Sequence, residues 1–202
     1  MKPDLPSLSE LKRNVTRSRL TGAALEVFET KGYSATTIDD IVSAAGVSRA
    51  TFYLHFPNKL ALTREMLDDL HSYALHRYSR LDEVLTSGEE DLRQSLRDWL
   101  REWQQYWRKN AALLDALTAA ALSDASIEDW IFTSSFTLID SLHRYFDQIP
   151  EAEASAVRTR AVLLEASTRT VFSLSSRGKV GTSPDEVLDY LCDVWTAALQ
   201  PK

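Results

Sequence analysis

The sequence predicts an all-α protein, and two observations support this fold class. The 202 residues include only six glycines and six prolines, so few positions interrupt a helix. Between them run long stretches rich in Ala, Leu, Glu and Arg, in which apolar residues recur at spacings of three and four. Sustained alternation of apolar and polar residues, the pattern of a half-buried strand, is rare. The combination is typical of a nearly all-helical chain of about nine helices.

Length and composition narrow the class of protein. The chain has the size of one large domain or two small ones, at roughly 100–200 residues per domain. Its 44% apolar and 26% charged residues exclude wholesale disorder. No run approaches the ~18–20 apolar residues of a membrane helix, and the first six residues lack the apolar core of a secretory signal. Because the single Cys192 cannot form an internal disulfide, we expect a reduced, cytoplasmic protein.

The first helix is predicted from about Asn14 to Lys31, because apolar residues mark one face of this segment and Gly32 suits the position after a helix end. Residues 1–13 contain two prolines and little apolar content near their start. We expect them to form a flexible arm.

The next segment predicts two short helices joined by a tight turn. Thr37 and Asp40 nearly match a capping box that starts the second helix. Gly46 can adopt the positive φ of a sharp turn, and Ser48 can cap a third helix that ends before Pro57.

A long fourth helix follows, capped by Asn58 and running from about Lys59 to Leu85. Breakers such as Gly88, Pro150 and Pro184 separate the later elements. These are predicted near residues 89–109, 111–122, 127–148, 153–177 and 184–199.

Two short helices around a glycine turn are the sequence form of a helix-turn-helix. On a helical wheel Arg49, Ala50 and Tyr53 fall within an arc of about 100°, whereas Phe52 lies outside it and can pack inward. A long cation, a small residue and a phenol suit a recognition helix in the major groove of DNA. Residues 1–60 hold eight basic and six acidic side chains, against fifteen and twenty-three in the remainder. This asymmetry fits contact with a polyanion, and it equally fits a random fluctuation of surface charge.

Residues from about Arg19 to Leu67 resemble the DNA-binding domain of the TetR/AcrR family of transcriptional regulators. Gly22 and Ser43 depart from the family pattern, but neither lies on the predicted DNA face. The resemblance is carried by Ala23-Ala24 and Phe28, Gly32-Tyr33, Thr36-Thr37-Ile38-Asp39-Asp40-Ile41, Ala44-Ala45-Gly46-Val47-Ser48, Thr51-Phe52-Tyr53-Leu54-His55-Phe56 and Asn58-Lys59-Leu60-Ala61-Leu62.

The resemblance implies a set of DNA contacts. Capping alone would also explain Thr37 and Ser48, and His55 could simply close its helix. Positions that match phosphate contacts of the family are Thr37, Ser48, Thr51, Tyr53, His55 and Lys59, and those that match base contacts are Arg49 and Ala50. The basic residues Lys12, Arg13, Arg17 and Arg19 either touch the DNA backbone or minor groove or form a solvated helix start.

The C-terminal part is expected to bind a small apolar effector, because this is what the family's second domain usually does. All five tryptophans lie after residue 98, and aromatic walls with nearby hydroxyls suit a cavity between helices. Each aromatic could equally be core. The candidate lining is Trp99, Trp103, Trp130, Phe136, Phe172 and Trp195. The tryptophan positions and the Phe-Pro-Asn-Lys segment at 56–59 resemble the ethionamide-resistance type of regulator.

The resemblance further implies a homodimer formed by the last two helices, about 153–199, which fits a palindromic DNA operator. The predicted organisation is an arm at 1–13, a three-helix DNA-binding domain at 14–58 and a helical-bundle domain for ligand binding and dimerisation at 59–202. The expected function is a ligand-released repressor, with a helical adaptor that binds no DNA as the alternative.

HExxH, CxxC, P-loop and GxSxG motifs are absent from the sequence. We therefore expect neither an enzyme nor a metal or other cofactor.

Overall fold

The computed structural model describes residues 7–88, 92–122 and 124–199, and all regular structure within these ranges is helical. The all-α prediction is confirmed, with ten helices in the described ranges where about nine were expected. They are α1 (Leu8–Lys31), α2 (Ile38–Ala45), α3 (Arg49–His55), α4 (Lys59–Thr86), α5 (Leu92–Lys109), α6 (Ala111–Ala121), α7 (Ala125–Asp140), α8 (His143–Phe146), α9 (Glu151–Ser176) and α10 (Pro184–Leu199).

The chain forms two compact units. Unit 1 comprises the described residues up to Asp69 together with Asp115–Ile127, and unit 2 comprises Leu70–Leu114 and the described residues from Glu128 onward. The start of α4 lies in unit 1, and it buries Leu62 and Leu67. The functional division after residue 58 stays a prediction.

Unit 1 is built around the mutual packing of α1, α2 and α3. Leu20 of α1, Ile41 of α2 and Phe52 of α3 are completely buried, and Phe56 just after α3 is 1% exposed. Burying one such side chain contributes about 1.5–3 kcal/mol. These apolar contacts fix α3 against the two preceding helices.

The first helix starts six residues earlier than predicted, and part of the expected arm is helical. The Ser7 hydroxyl accepts a hydrogen bond from the Glu10 amide at 3.2 Å, and the Glu10 carboxylate accepts one from the Ser7 amide at 2.7 Å. This capping box satisfies two N-terminal amides. Leu8, Leu11 and Val15 follow the helical spacing of three and four, and Ser7 and Glu10 match a capping box, so the sequence did contain the signal for the extension, although these apolar side chains remain exposed. Residues 1–6 of the expected arm lie outside the described residues.

The caps around the central turn are confirmed. The Thr37 hydroxyl accepts from the Asp40 amide and the Asp40 carboxylate accepts from the Thr37 amide, which completes the predicted capping box. Gly46 adopts the left-handed conformation with φ of 61°. The Ser48 hydroxyl accepts from the Thr51 amide at 3.0 Å, and the Asn58 side chain accepts from the Ala61 amide at 2.8 Å.

The prediction of one continuous helix at 127–148 is wrong, because α7 ends at Asp140 and a separate short helix, α8, follows. The buried Asp82 carboxylate accepts hydrogen bonds from the amides of Arg144, at 3.1 Å, and Tyr145, at 2.9 Å. A side chain about sixty residues earlier thus satisfies the first amides of α8. No local pattern signals a cap of this kind.

Unit 2 packs α5, α9 and α10 against one another. Its core contains Trp195, Tyr78 and Phe172, which are at most 1% exposed. In the described part of the chain, no helix combines the length and apolar character needed to cross a membrane.

Two glycines of unit 1 should respond in opposite ways to replacement by alanine. At Gly46 an added Cβ strains the left-handed backbone and meets the Arg19 guanidinium at 2.9 Å, so Gly46→Ala should lower the free energy of unfolding by about 1–2 kcal/mol. Gly22 lies inside α1 with open space around it. Gly22→Ala should raise the free energy of unfolding by about 0.5–1 kcal/mol. Urea denaturation measures both, and shifts of the same sign would contradict this account.

Candidate nucleic-acid interface

The exposed face of α3 brings together three residues predicted to touch DNA, of which Arg49 and Ala50 are predicted at base edges and Tyr53 at a phosphate. Arg49, Ala50 and Tyr53 are exposed, while Phe52 between them is fully buried. The Tyr53 ring stands edge-on to the Phe52 ring at 5.6 Å between centroids, so the buried ring supports the exposed one. The predicted division of this helix into a buried and an exposed face is therefore confirmed.

Leu54 also lies on this face, with 79% of its side chain exposed. On the wheel it falls about 40° beyond Ala50, so the wheel could have identified it. A leucine this exposed on a face with a cation and a phenol offers an apolar contact, such as that with a thymine methyl group.

Arg49 is held by two neighbours. Its Nη1 donates to both carboxylate oxygens of Asp39 at 2.8 Å. Hydrogen bonding to Tyr53 and the charge of Asp39 raise the pKa of Arg49. The guanidinium therefore has a defined position on the surface. Asp39 was not among the predicted site residues. Acidic residues are common in the first turn of a helix, where they interact favourably with the helix dipole, so its position gave no sign of a role in the site.

Three hydroxyl groups border the same surface. The Ser48 and Thr51 hydroxyls are 2.9 Å apart, and the Thr37 hydroxyl donates to the Asp40 carboxylate at 2.8 Å. Thr37 and Ser48 are exposed and Thr51 is partly exposed. All three take part in caps, and a hydroxyl has lone pairs and a rotatable hydrogen that also allow contact with phosphate.

Lys59 is engaged within unit 1. Its ammonium donates to the carbonyl of Tyr33 at 2.7 Å and to the carbonyl of Thr36 at 2.8 Å, and it lies 4.2 Å from the centre of the Tyr33 ring. Partial burial lowers the pKa of Lys59. These contacts tie the start of α4 to the turn between α1 and α2, so the geometry favours a positioning role over the predicted phosphate contact.

His55 and Arg17 also take part in internal contacts. Arg17 donates to the His55 carbonyl at 3.0 Å, pairs with Glu65 and lies 4.4 Å from the centre of the Phe56 ring. Burial, then the charges of Arg17 and Arg13, lower the pKa of His55, and its Nδ1 has no partner among the described residues. The His55 imidazole therefore stays neutral down to a lower pH than that of an ordinary histidine.

The other three members of the basic set at residues 12–19 are solvent-facing. Lys12, Arg13 and Arg19 are exposed, and none of them forms an ion pair with other described residues of the chain. The Arg19 guanidinium lies beside Gly46 of the turn. The second basic set predicted from the sequence is therefore reduced to three cations, since Arg17 is structural.

The aromatic residues predicted to line a ligand cavity fall into different environments in unit 2. Trp99, Trp103, Phe172 and Trp195 are buried, Trp130 is half-buried against His71, and Phe136 is 52% exposed. Phe136 thus lies on the surface of α7. The apolar residues of that helix spread over well more than half of its circumference, so a wheel could not tell which of them are buried.

The buried tryptophans behave as core residues. The Trp99 indole donates to the Arg77 carbonyl at 2.8 Å, and the Trp195 indole donates to the Thr168 hydroxyl at 2.9 Å. Trp103 stacks with Tyr106 at 5.3 Å between ring centroids. Stacked and edge-on rings of this kind hold the core together.

A cavity of about 230 Å³ opens in unit 2, and among the predicted lining residues Trp99 alone borders it. The other lining residues are Arg77, Arg80, Val84, Ser95, Asp98 and Glu102. The lining is thus more charged than the apolar site that the sequence predicts. In the described residues no cluster of three or more metal-ligating side chains is found.

Five buried polar atoms of unit 2 lack a hydrogen-bond partner among the described residues: Arg77 Nε, Trp107 Nε1, Glu165 Oε2, Arg169 Nε and Thr196 Oγ1. Burial raises the pKa of Glu165, against the effect of Arg169 nearby. Unsatisfied buried atoms cost about 1–3 kcal/mol each. Sequence analysis missed this group because Glu165 and Arg169, four residues apart on a helix, look like a surface ion pair.

A family model described as bacterial regulatory proteins, tetR family, matches residues 20–66. This segment runs from within α1 to the first turns of α4 and contains the whole α2–turn–α3 surface.

Curated proteins are similar to parts of this chain of different length. The HTH-type transcriptional repressor KstR2 of Mycolicibacterium smegmatis is 33% identical over 92 residues, 46% of this chain and 43% of that protein. The HTH-type transcriptional regulator TtgR of Pseudomonas putida is 43% identical over 56 residues, 28% of this chain and 27% of that protein. The chain thus spans less than half the length of these two relatives. The HTH-type transcriptional regulator EthR of M. smegmatis is 24% identical over 186 residues, 87% of this chain and 82% of that protein.

Solved structures share the fold. Salmonella enterica GusR has a TM-score of 0.69 at 24% identity and covers 92% of this chain and 95% of its own. A transcriptional regulator from Rhodococcus sp. Rha1 has a TM-score of 0.66 at 22% identity, with coverages of 91% and 95%. At these identities the similarity establishes the fold.

The internal contacts of Lys59 lead to a stability prediction. Lys59→Met keeps the length of the side chain but leaves the Tyr33 and Thr36 carbonyls without its donors. The free energy of unfolding should fall by about 1–3 kcal/mol, measured by urea denaturation. As a control, Lys12→Met removes an exposed cation from α1 and should change stability by less than about 0.5 kcal/mol. If Lys59→Met were as stable as the Lys12 variant, the positioning role would be wrong.

Proposed function

We propose that this chain, which belongs to the tetR family of bacterial regulatory proteins, is a transcriptional regulator that binds duplex DNA through α3. The observation that carries the proposal is the exposed face of α3, where a positioned guanidinium, a small residue and a phenol lie side by side. A helix of this composition fits the major groove, where arginine can donate to guanine O6 and N7. The family match covers this same segment.

The proposed contacts divide into two kinds. Arg49 and Ala50 approach base edges, and Leu54 adds an apolar contact. The hydroxyls of Thr37, Ser48, Thr51 and Tyr53, together with His55, contact the phosphate backbone, which fixes the register of the helix without reading sequence. Lys59 contributes indirectly, because its bonds to two carbonyls hold the start of α4. Lys12, Arg13 and Arg19 add long-range attraction to the DNA.

We further propose that the regulator is a repressor that acts as a dimer on a palindromic operator. Support for repression comes from KstR2, which is named a transcriptional repressor. A dimer of two-fold symmetry would present two α3 helices to half-sites about 34–36 Å apart. Support for dimerisation through α9 and α10 comes from exposed apolar residues on these helices, Leu163, Tyr190 and Val194.

The proposed effector is a small, mainly apolar molecule bound within unit 2. The aromatic residues of α5, α9 and α10 supply apolar surface, and Glu165 and Trp107 supply hydrogen-bonding atoms that lack protein partners. An effector releases the operator only if its affinity for the DNA-competent state is lower than for the open state, and operator DNA must weaken effector binding by the same factor. The ethionamide-resistance subtype stays a prediction.

A gel-shift titration tests DNA binding itself. The fragment upstream of the native gene should be bound more tightly than an unrelated duplex of the same length, with two protomers per site. A helical adaptor, the alternative function, would bind neither fragment at moderate salt.

Arg49 and Tyr53 should differ in what they contribute. Arg49→Ala should cost about 1–3 kcal/mol on the operator and much less on unrelated DNA, because it removes base contacts. Tyr53→Phe removes a phosphate-binding hydroxyl that also neighbours Arg49; if the phosphate contact is the larger effect, both complexes should weaken by a similar amount, about 0.5–1.5 kcal/mol. The control Arg101→Ala removes a partly exposed, paired arginine of unit 2 and should change neither affinity. An equal loss on both DNAs for Arg49→Ala would assign Arg49 to the backbone.

Effector binding should change tryptophan fluorescence, because all five tryptophans lie in unit 2. A panel of uncharged aromatic and alkyl compounds is titrated against the protein with and without operator DNA. A compound that shifts the emission should bind more weakly when the operator is present and should release the DNA. Trp103→Phe should alter its affinity while leaving ligand-free DNA binding intact. If no compound that shifts the emission affects DNA binding, effector-controlled release is excluded.

A further inference from the structure

Asp39 presents a carboxylate beside the proposed DNA-reading face. It lies in the first turn of α2, its side chain is 65% exposed, and its partner Arg49 is 57% exposed. Both carboxylate oxygens accept from Arg49 Nη1 at 2.8 Å. An acidic group at this place is unexpected on a surface that contacts phosphates, because it repels them.

Asp39 in the first turn of α2 interacts favourably with the helix dipole, but this does not require Arg49 as a partner. Exposed ion pairs contribute little to folding, since solvent screens them. The capping of α2 is performed by Asp40, whose carboxylate bonds to the amide and hydroxyl of Thr37. Asp39 makes neither of these capping bonds.

The geometry of the pair leaves part of Arg49 available. A guanidinium has five N–H donors, and Asp39 accepts only from Nη1, so the donors on Nη2 and Nε lie outside this ion pair. A free arginine side chain samples many rotamers, and fixing it in advance reduces the entropy lost on binding. The same carboxylate cancels the charge that would attract the guanidinium to any nearby phosphate.

We propose that Asp39 is a specificity-determining positioning residue that aims Arg49 at a base edge and opposes its use as a phosphate contact. The inference rests on the proposed function of α3 as a DNA reader. Specificity is a difference between affinities, and it increases when binding to the wrong sequence is penalised. Asp39 imposes this penalty because nonspecific affinity comes from the phosphate backbone.

The test replaces Asp39 by asparagine, which has the same shape without the charge. Binding of the wild type and Asp39→Asn is measured on the upstream fragment and on an unrelated duplex of equal length, at several salt concentrations. We expect affinity for unrelated DNA to rise, with a salt slope steeper by about one unit because Arg49 becomes a phosphate contact. The ratio of operator to unrelated affinity should fall by about fivefold or more. Asp39→Ser should give the same result.

Two controls assign the effect to Arg49. Asp140→Asn removes an exposed carboxylate that pairs with Arg158 in unit 2 and should leave the ratio and the salt slope unchanged. In an Arg49→Ala background, Asp39→Asn should no longer change the ratio. A change of equal size in that background would overturn the proposed positioning.

The outcomes separate the inference from the proposed function. If the wild type does not prefer the upstream fragment over unrelated DNA, both are wrong. If the wild type does prefer it and Asp39→Asn keeps the ratio, the inference alone is overturned. A parallel loss of affinity on both DNAs, with a lower thermal unfolding midpoint, would show that Asp39 only stabilises α2.

Discussion

A helix of seven residues is too short to be stable on its own, and the proposed DNA-reading surface depends on this constraint. Isolated helices below roughly 12–15 residues are marginal in water, so α3 exists only because its surroundings stabilise it. Phe52 and Phe56 supply the buried contacts, and the Ser48 hydroxyl caps the first turn. The exposed face is therefore determined by the buried one. Arg49 and Tyr53 point to solvent because Phe52 is in the core.

Internal contacts also determine which positive charges of unit 1 are available for binding. A cation at the start of a helix interacts unfavourably with the helix dipole. From the sequence alone, Lys59 is therefore expected to have an anionic partner such as a phosphate. In the structure two backbone carbonyls of the preceding turn take its hydrogen bonds. Arg17 is similarly engaged by Glu65 and the His55 carbonyl. Arg49 differs, because its partner Asp39 is itself exposed at the surface.

Unit 2 combines an aromatic core with buried polar groups. The indoles of Trp99 and Trp195 find acceptors within the core, whereas Glu165 Oε2 and Trp107 Nε1 have none among the described residues. A core built for stability alone would satisfy or omit such atoms. Their presence, together with a cavity bordered by Arg77 and Trp99, is what supports a ligand-binding role for this unit.

By itself the sequence determined what depends on neighbours along the chain. The all-α class, the capping box of Thr37 and Asp40, the turn at Gly46 and the buried position of Phe52 follow from spacing and backbone preference, which act over a few residues. Only the tertiary structure decided which partner each long side chain would take. The break before α8 depends on Asp82, about sixty residues away, and the role of Lys59 depends on carbonyls more than twenty residues earlier. The exposure of Phe136 depends on which part of the wide apolar surface of α7 is covered. Such contacts are set by packing between distant segments, and a local pattern contains no information about them.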